Sequence, residues 1–401
     1  MDFAESARSK ELKARAWEFM LDCIQPAEAQ YWAEFSAETI PHRISAVMDG
    51  LKAEARRRGL WNLFMPDERF GAGLSNVEYA PIAEISGWSP IAPEAMNCSA
   101  PDTGNMEVLA QFGTPEQQDQ WLRPLLDGRI RSCIGITEPD VASSDPTQLE
   151  CRITRDGDEY VINGRKWWTS GAAHPDARVI LLMGLSNPDG ERYLRHTFVL
   201  VPVDAPGVSV VRQLQVYGFD DPGSHCEVHF DDVRVPVSNR IGEEGMAFVI
   251  AQARLGPGRL HHCMRALGVA ERALSLMRER AKSRTAFGKR LADQGVVRDQ
   301  LARSRVEIEQ ARLLCHKAAW MLDTVGNREA RFEIAAIKVV APQVACNVVD
   351  RAIQVHGGAG VSNDVPLGHM YAYARAMRIF DGPDEVHLAT IAREELHRES
   401  S

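Results

Sequence analysis

The sequence lacks the patterns that mark several common kinds of site and cellular destination. Its eight cysteines show no C-x-x-C pair or zinc-like spacing, and no run of about 18 or more apolar residues occurs. The start, MDFAESARSKELKARAWEF, is charged and resembles neither a signal peptide nor a transit peptide. These absences predict a cytoplasmic protein with reduced cysteines, no metal site and no membrane span.

Known nucleotide and hydrolase motifs are missing as well. No G-x-G-x-x-G, P-loop, G-x-S-x-G or H-E-x-x-H pattern occurs, which disfavours Rossmann, P-loop, α/β-hydrolase and zincin sites. The net charge of -9 argues against a nucleic-acid surface or an anionic membrane as the main partner. His261 and His262 would point about 100° apart on a helix and cannot chelate one ion, so we interpret them as structural.

The composition is that of an ordinary globular protein, and the sequence pattern divides the chain into three parts. The length of 401 residues is enough for two or three domains. The composition, 45% apolar and 25% charged, is typical of a globular protein. Residues 1–130 have a helical pattern, in which Thr114-Pro115-Glu116-Gln117 supplies a helix start and Gly128 a helix stop. This part is predicted to be an N-terminal helical domain.

The pattern changes to short β-rich runs over residues 131–245. Asp156-Gly157 and Asn163-Gly164 are both hairpin signals, and the spacing of the runs favours an antiparallel sandwich or barrel. Over residues 246–401 apolar residues again recur at three- and four-residue steps in long segments. The prediction is an α+β protein with a middle antiparallel β-domain and a C-terminal four-helix bundle.

Two motifs at the β-domain carry groups suited to a flat, polar cofactor. In Ile136-Thr137-Glu138-Pro139-Asp140-Val141-Ala142-Ser143-Ser144-Asp145, short hydroxyls and backbone N–H groups could bind a flavin ring or a phosphate. In Lys166-Trp167-Trp168-Thr169-Ser170-Gly171, the Trp168 ring could cover a cofactor face while Ser170 donates to a ring nitrogen. The alternative for the first motif is an ordinary Pro/Ser-rich loop, and the tryptophans of the second are more often core residues in a β-domain.

Two further motifs follow in the C-terminal part. Arg284-Thr285-Ala286-Phe287-Gly288-Lys289 offers a guanidinium for a pyrophosphate and a ring for stacking, although a basic helix end has the same composition. Gln354-Val355-His356-Gly357-Gly358-Ala359-Gly360 ends a long helix in glycines, which lets a phosphate or another backbone approach closely.

The last motif, Arg378-Ile379-Phe380-Asp381-Gly382-Pro383-Asp384-Glu385, places a carboxylate on a helix break. Gly382 and Pro383 both oppose helix continuation, so Asp381 is expected at a bend from which it can point into a cleft. A turn with solvated acids is the alternative when this stretch is read alone.

Taken in order, TEPDVASSD, KWWTSG, RTAFGK, QVHGGAG and FDGPDE resemble the acyl-CoA dehydrogenase family over nearly the whole chain. GPGRLHHCMRALGVAERAL and DGPDEVHL are most similar to the branch that contains acyl-CoA dehydrogenase family members ten and eleven. The resemblance implies FAD held between the β-domain and the C-terminal bundle of a homo-oligomer, either a dimer or a tetramer. It also implies an acyl-CoA substrate and an electron-transferring flavoprotein as the electron acceptor.

The resemblance also assigns roles to single residues. Asp381 is implied as the base that takes the α-proton while flavin N5 takes a hydride from the β-carbon. Implied cofactor contacts are Thr137, Ser143, Trp168, Ser170, Arg284, Phe287, Gln354, Gly357, Gly358, Pro383 and Glu385. Implied substrate contacts are Ser144, Arg259 and Gly382.

Three departures from the family pattern leave alternatives open. The first motif is one residue longer than the usual T-E-x-x-A-G-S-D spacing, so Ser143 and Ser144 can exchange roles. Pro383 replaces a common Thr, and Asp381 replaces the common Glu, which is longer by about 1.5 Å. Nitroalkane-oxidising relatives also use Asp, so a flavin oxidase of the same fold, acting on a nitroalkane or an acyl-CoA, is the alternative enzyme. A non-catalytic flavin- or CoA-binding protein is the third hypothesis.

Overall fold

The computed structural model describes residues 5–397. Residues 1–4 of the predicted N-terminal domain and 398–401 of the predicted C-terminal domain lie outside the described part. The chain divides into two compact units, each described here by itself. One unit comprises Met1–Gln25, Leu74–Ala92 and Gly256–Ser401, and the other Pro26–Gly73 and Pro93–Leu255. The domain boundaries at 130 and 245 stay predictions.

The second unit contains an eight-stranded sheet, as the β-rich texture predicts. The strands are β1 Arg131–Gly135, β2 Arg152–Asp156, β3 Glu159–Thr169, β4 Ala177–Leu185, β5 His196–Pro202, β6 Val208–Gln213, β7 Cys226–Pro236 and β8 Arg240–Ile241. Their spatial order is β6-β7-β3-β2-β4-β5-β8, with β1 also paired to β4. Most pairs are antiparallel, but β1 runs parallel to β4, and β2 meets β4 in parallel at Arg152 and Leu185.

One predicted hairpin is present and the other is not. The Asp156-Gly157 signal is a tight turn, in which Asp156 pairs with Glu159 and Gly157 has a φ of 62°. The Asn163-Gly164 signal is wrong, because both residues lie inside β3, where the register to β7 shifts between Ile162 and Gly164. A Cβ on Gly164 would lie 2.8 Å from the Cys151 Cα, so glycine is needed there for close approach of the strands.

The sheet packs around an apolar core of its own. Ile153, Ile162, Leu182, Val199 and Val233 are each at most 2% exposed and belong to one continuous cluster. Strands β4 and β5 are buried along almost their whole lengths, which explains their uninterrupted runs of aliphatic residues. All eight cysteines are free thiols, in agreement with their irregular spacing.

Helices make up the rest of the chain, and their ends follow the sequence signals. Thr114 caps a helix with its side chain in a reciprocal capping box with Gln117, and Gly128 adopts a φ of 66° after the helix that ends at Leu126. The helices are α1 Ala7–Phe19, α2 Gln25–Glu34, α3 Val47–Arg57, α4 Asn76–Ser86, α5 Ala92–Ala95, α6 Asp102–Phe112, α7 Pro115–Gln117, α8 Arg123–Leu126, α9 Ala247–Ser283, α10 Gly295–Glu329, α11 Arg331–His356, α12 Leu367–Ala376 and α13 Asp384–Leu396.

The unit that holds the C-terminal helices is held together by apolar packing and by half-buried ion pairs. Helix α11 contacts α10, α12 and α13. Arg312 on α10 joins Glu84 on α4 at 2.7 Å and Glu271 on α9 at 2.5 Å. In the described residues one helical stretch, Arg331–Val361, is long and apolar enough to cross a membrane, and 67% of its most apolar window is buried inside the protein. Such burial is the arrangement of a core helix.

Candidate active site

The first two motifs meet on neighbouring strands of the sheet unit. Ile134 at the end of β1 forms an antiparallel bridge with Ser170, just beyond β3. The backbone N–H of Trp167 donates to the Thr137 carbonyl at 2.9 Å. Thr137, Trp168 and Ser170 are therefore carried by two strand ends that are hydrogen-bonded to each other. All three side chains are half-buried, so each keeps part of its surface accessible.

A buried ion pair fixes these two strand ends. The Lys166 ammonium lies 2.6 Å from the Glu138 carboxylate and also donates to the Ile136 carbonyl at 2.9 Å. Glu138 in turn accepts from the backbone N–H groups of Glu150 and Cys151. Because the carboxylate and ammonium are well supplied with partners, the pair is tolerated in the interior and sets the position of the loop that carries Thr137.

The two serines of the first motif have different surroundings. The Ser143 hydroxyl accepts from the Glu138 N–H at 2.9 Å and donates to the Glu138 carbonyl at 3.2 Å, which closes the loop on itself. Ser144 is exposed. The hydroxyl of Ser143 therefore has partners within its own loop, whereas that of Ser144 faces outwards. Their assignment to cofactor and substrate stays a prediction.

Trp168 and Ser170 share a neighbour that the sequence motifs do not reveal. Trp168 has a φ of 51°, an uncommon conformation for a large residue, at the point where β3 and β7 lose register. The Ser170 hydroxyl lies 2.9 Å from Nδ1 of His225, and the rings of Trp168 and His225 are 5.6 Å apart. His225 stands in no recognisable motif, but its position just before β7 places it beside both residues.

Asp381 lies in the short turn between α12 and α13, as predicted. It has a φ of 56° and Gly382 a φ of 99°, so two successive residues leave the helical region before α13 begins at Asp384. A Cβ on Gly382 would lie 2.8 Å from the His387 ring nitrogen, which makes glycine necessary here. Pro383 is the N-cap residue of α13 and has extended backbone angles.

Neighbouring helices hold this turn from several sides. On α11, the Lys338 ammonium donates to the carbonyls of Met377 at 2.6 Å and Phe380 at 2.8 Å, and burial lowers its pKa. Arg259 on α9 donates to the Asp381 carbonyl at 3.0 Å, and burial lowers the pKa of that guanidinium as well. The backbone of Asp381 is thus fixed by charged donors while its side chain stays 22% exposed.

Two histidines also border Asp381. Nε2 of His387 is 3.3 Å from the Asp381 carbonyl, and burial, followed by the neighbouring Arg259, lowers the pKa of His387 to about 4. Nε2 of His262 lies 3.5 Å from the carboxylate oxygen Oδ2 of Asp381. The adjacent His261 instead packs against Tyr79 on α4, with ring centroids 4.8 Å apart. The two adjacent histidines therefore do diverge, but the interpretation of His262 as merely structural leaves out its carboxylate neighbour.

The other residues of the last motif surround the start of α13. Arg378 pairs with Asp384 at 2.7 Å, which fixes the turn from its far side. Glu385 is exposed in the first turn of the helix, where a carboxylate is favoured by the helix dipole. The predicted contacts of Pro383 and Glu385 with a cofactor stay predictions.

The RTAFGK motif forms a small hairpin beyond α9. Strand β9, Thr285–Ala286, pairs with β10, Lys289–Arg290. At the tip, Phe287 and Gly288 have φ values of 52° and 75°, the signs of a type I′ turn, and Phe287 is 101% exposed. A fully exposed aromatic ring in a left-handed conformation has no packing reason within this unit. Arg284, at the base of the hairpin, is also exposed.

Helix α11 ends within the QVHGGAG motif, at His356. Gly357 has a φ of 63°, and a Cβ built on Gly357 or Gly358 would meet no atom within 4 Å. Gln354 is exposed beside them. These glycines therefore border open space rather than a close backbone. Within the described residues, Arg284 makes no hydrogen bond to any of the three, although Arg280, one turn earlier on α9, donates to the His356 carbonyl at 3.5 Å.

The predicted site residues are thus grouped as follows. The sheet unit brings together Thr137, Trp168 and Ser170, and the helical unit brings together Arg259, Asp381 and Gly382. Among the residues that the structure describes, no cluster of three or more histidine, cysteine or acidic side chains could hold a metal ion.

Comparison with known proteins gives matches along nearly the whole chain. Three family models match in succession, described as the N-terminal, middle and C-terminal domains of acyl-CoA dehydrogenase. They cover residues 6–129, 133–233 and 244–396.

Individual relatives are also similar. The protein named "Probable acyl-CoA dehydrogenase FadE2" of Mycobacterium tuberculosis is 58% identical over 100% of this chain and 98% of its own length. Acyl-CoA dehydrogenase family member 11 of Gallus gallus is 52% identical over 98% of this chain and 51% of its own length. The chain therefore spans about half the length of the family member 11 relatives that it matches.

Solved structures share the fold. A Mycobacterium abscessus protein assigned as an acyl-CoA dehydrogenase is 51% identical, with a TM-score of 0.95 over 98% of this chain and 99% of that one. Butyryl-CoA dehydrogenase of Megasphaera elsdenii is 25% identical, with a TM-score of 0.83 over 99% of this chain and 100% of that one.

Proposed function

Because the chain belongs to the acyl-CoA dehydrogenase family, we propose that it uses FAD to introduce an α,β double bond into an acyl-CoA thioester, with Asp381 as the base. The observation that carries the proposal is the Asp381 turn. Arg259 and His387 contact its backbone carbonyl, and Lys338 donates to the carbonyls of Met377 and Phe380, while the carboxylate is partly exposed. A base that must meet a bound substrate needs this combination of fixed backbone and accessible side chain.

The residues present fit FAD. Trp168 offers a half-buried ring and Ser170 a hydroxyl next to it, as an isoalloxazine ring requires. The open space at Gly357 and Gly358 admits a phosphate or ribose, and Arg284 offers a bidentate donor for a pyrophosphate. When bound, FAD would supply the acceptor for the hydride that leaves the β-carbon.

The chain's own contribution is to remove the proton from the α-carbon of the substrate and to hold that proton on the base. An aspartate is shorter than a glutamate by about one C–C bond, roughly 1.5 Å. The left-handed Asp381 and Gly382 bend the chain just before α13, and they set the distance from which the shorter side chain reaches the substrate. Substrate contacts would come from Arg259, Gly382 and Ser144.

The acceptor and the assembly belong to the same proposal. Electrons would pass to an electron-transferring flavoprotein, and the protein would act as a homo-oligomer in the cytoplasm. The fully exposed Phe287 supports an oligomer, since FAD bound by a second copy of the chain could cover this ring.

The test is the variant Asp381→Asn, assayed without oxygen by the loss of oxidised-flavin absorbance on addition of acyl-CoA esters of different chain length. The amide keeps the size of the side chain but cannot accept the α-proton, so bleaching should fall by about a hundredfold or more while FAD stays bound. Normal bleaching in this variant would remove Asp381 from the mechanism.

A second measurement separates the alternative enzyme from the proposed one. Reduced wild-type protein is mixed with air or with an electron-transferring flavoprotein, and the rate at which oxidised flavin returns is recorded. Fast return with the flavoprotein and slow return in air is expected for a dehydrogenase. The reverse result would indicate a flavin oxidase. Preparations without yellow colour, whose melting temperature FAD does not raise, would count against both enzymes.

A further inference from the structure

Asp381 has an imidazole beside its carboxylate. Nε2 of His262 lies 3.5 Å from Asp381 Oδ2, and the two side chains are only 14% and 22% exposed. His262 stands on α9 one turn after Arg259, which donates to the Asp381 backbone. The same helix therefore contributes one group that fixes the backbone of Asp381 and another that faces its carboxylate.

The position of the imidazole is set by packing as well as by charge. The His262 ring meets the Phe380 ring edge-on, with centroids 5.2 Å apart and an interplanar angle of 66°. Phe380 is itself fixed, because its carbonyl accepts from the buried Lys338 ammonium at 2.8 Å. Both partners of the His262–Asp381 contact are thus attached to the same buried support.

We propose that His262 and Asp381 form a proton-transfer pair, an inference that rests on the proposed function of Asp381. In the first step the α C–H bond breaks, its proton forms an O–H bond on Asp381, and its electron pair enters the α,β double bond as the β-carbon loses a hydride to the flavin of the proposed function. In the second step that O–H bond breaks and an N–H bond forms at Nε2 of a neutral His262, which leaves the carboxylate ionised and the imidazole positively charged.

The chemical reason lies in the difference between the two groups. A free carboxyl of aspartic acid has a pKa of about 3.9, whereas a free imidazole has a pKa of about 6.5. A carboxylate alone is a weak sink for an α-proton at neutral pH, and general bases work best when their pKa lies near the working pH. An imidazole within reach of the carboxylate gives the proton a better final position.

The charged surroundings favour this distribution of the proton. The cations Arg259 and Lys338 both interact electrostatically with Asp381, while His387 contacts its backbone carbonyl and has a pKa of about 4, which keeps that imidazole uncharged at neutral pH. His262 is a titratable group that faces the carboxylate itself. Among the residues that the structure describes, other titratable or charged groups around the pair include Arg259, His261, Cys263, Lys338, Asp384 and His387.

Two variants separate proton acceptance from simple positioning. His262→Gln keeps an amide that can hydrogen-bond to Asp381 but cannot take a proton, and His262→Phe keeps the ring contact with Phe380. The matched control is His261→Gln, which changes the adjacent imidazole that faces Tyr79. Anaerobic flavin reduction by an acyl-CoA ester is measured in single turnovers from about pH 5 to pH 9.

In both His262 variants the rate of flavin reduction at neutral pH should fall by about tenfold or more. The acid side of their pH profile should also move to lower pH by about one unit or more, because the carboxylate alone then sets it. His261→Gln should keep the wild-type profile. A wild-type rate and profile in His262→Gln would overturn proton transfer to His262.

A second readout needs no turnover. In protein labelled with carbon-13 at its histidines, the His262 signal is identified by its loss in His262→Gln. Its titration midpoint should be lower in Asp381→Asn than in the wild type, because the neighbouring negative charge is gone. An unchanged midpoint would overturn the coupling of the pair. If Asp381→Asn abolishes bleaching while both His262 tests are negative, only this inference fails; if Asp381→Asn bleaches normally, the proposed function fails first.

Discussion

Lys166 lies with its side chain fully buried and its ammonium 2.6 Å from the Glu138 carboxylate. This pair connects β3 to the loop after β1, so it joins the strand that carries Trp168 and Ser170 to the loop that carries Thr137. Because the pair is buried, each charge needs the other, since removal of one would leave an unpaired charge in the interior.

Replacement of Lys166 by Met should lower the free energy of unfolding by about 3–5 kcal/mol, because it leaves the Glu138 carboxylate buried without its cation. The quantity to measure is the urea midpoint of the FAD-loaded protein. The control is Arg165→Met, since Arg165 is 45% exposed and its partner Asp140 is 64% exposed. That variant should change the same free energy far less, because water screens an exposed ion pair. Equal effects of the two substitutions would contradict the role given to burial.

Stability should fall in mild acid, partly because of His42. Burial, followed by the nearby His174, lowers the pKa of His42 to about 4, whereas in the unfolded chain it should titrate near 6.5. Below pH 6.5 the unfolded state therefore binds the proton first, and stability decreases as the pH falls from about 6.5 to about 4. The loss from this one group is expected to be about 1–3 kcal/mol.

The measurement for His42 is the difference in urea midpoint between pH 7.5 and pH 5. His42→Phe keeps a ring against Phe35, which lies 5.1 Å from the His42 ring, but removes the titration. This variant should therefore show a smaller difference than the wild type. His397→Gln, a change at an exposed position, should show the wild-type difference. If His42→Phe is as sensitive to acid as the wild type, His42 does not contribute to the loss.

Phe287 should matter for the cofactor and not for the fold. Its ring is fully exposed, so Phe287→Asn should leave the melting temperature of the FAD-free protein unchanged, and Asn tolerates the left-handed backbone. FAD retention, measured as the ratio of flavin to protein absorbance after gel filtration, should fall several-fold. Phe287→Tyr keeps an aromatic ring and should retain FAD. Full retention in the Asn variant would count against a contact between this ring and FAD.

The sequence predicted the class of fold and the family, and both are confirmed. Strong local signals carried that success: the short β-rich runs, the capping box at Thr114 and the helix break at Gly382-Pro383. These signals depend on interactions between residues that are close together in the chain, so they can be predicted from the sequence.

The failures concern relationships between distant segments. Asn163-Gly164 has the letters of a hairpin, but the glycine is required by the approach of Cys151 from another strand. His262 was excluded from chelation by a correct argument about adjacent helical residues, which gives no information about a carboxylate far along the chain. His225 has no motif around it, and only the pairing of β3 with β7 brings it to Ser170.

The buried Lys338 has a chemical consequence for a protein whose proposed substrates are reactive thioesters. Acyl-CoA can transfer its acyl group to a neutral amine, and burial shifts this amine towards the neutral form. Lys338 is nevertheless only 1% exposed, and its nitrogen is engaged with two carbonyls. The folded chain therefore shields this interior amine from self-acylation, which should reach this position only after the turn around Asp381 has opened.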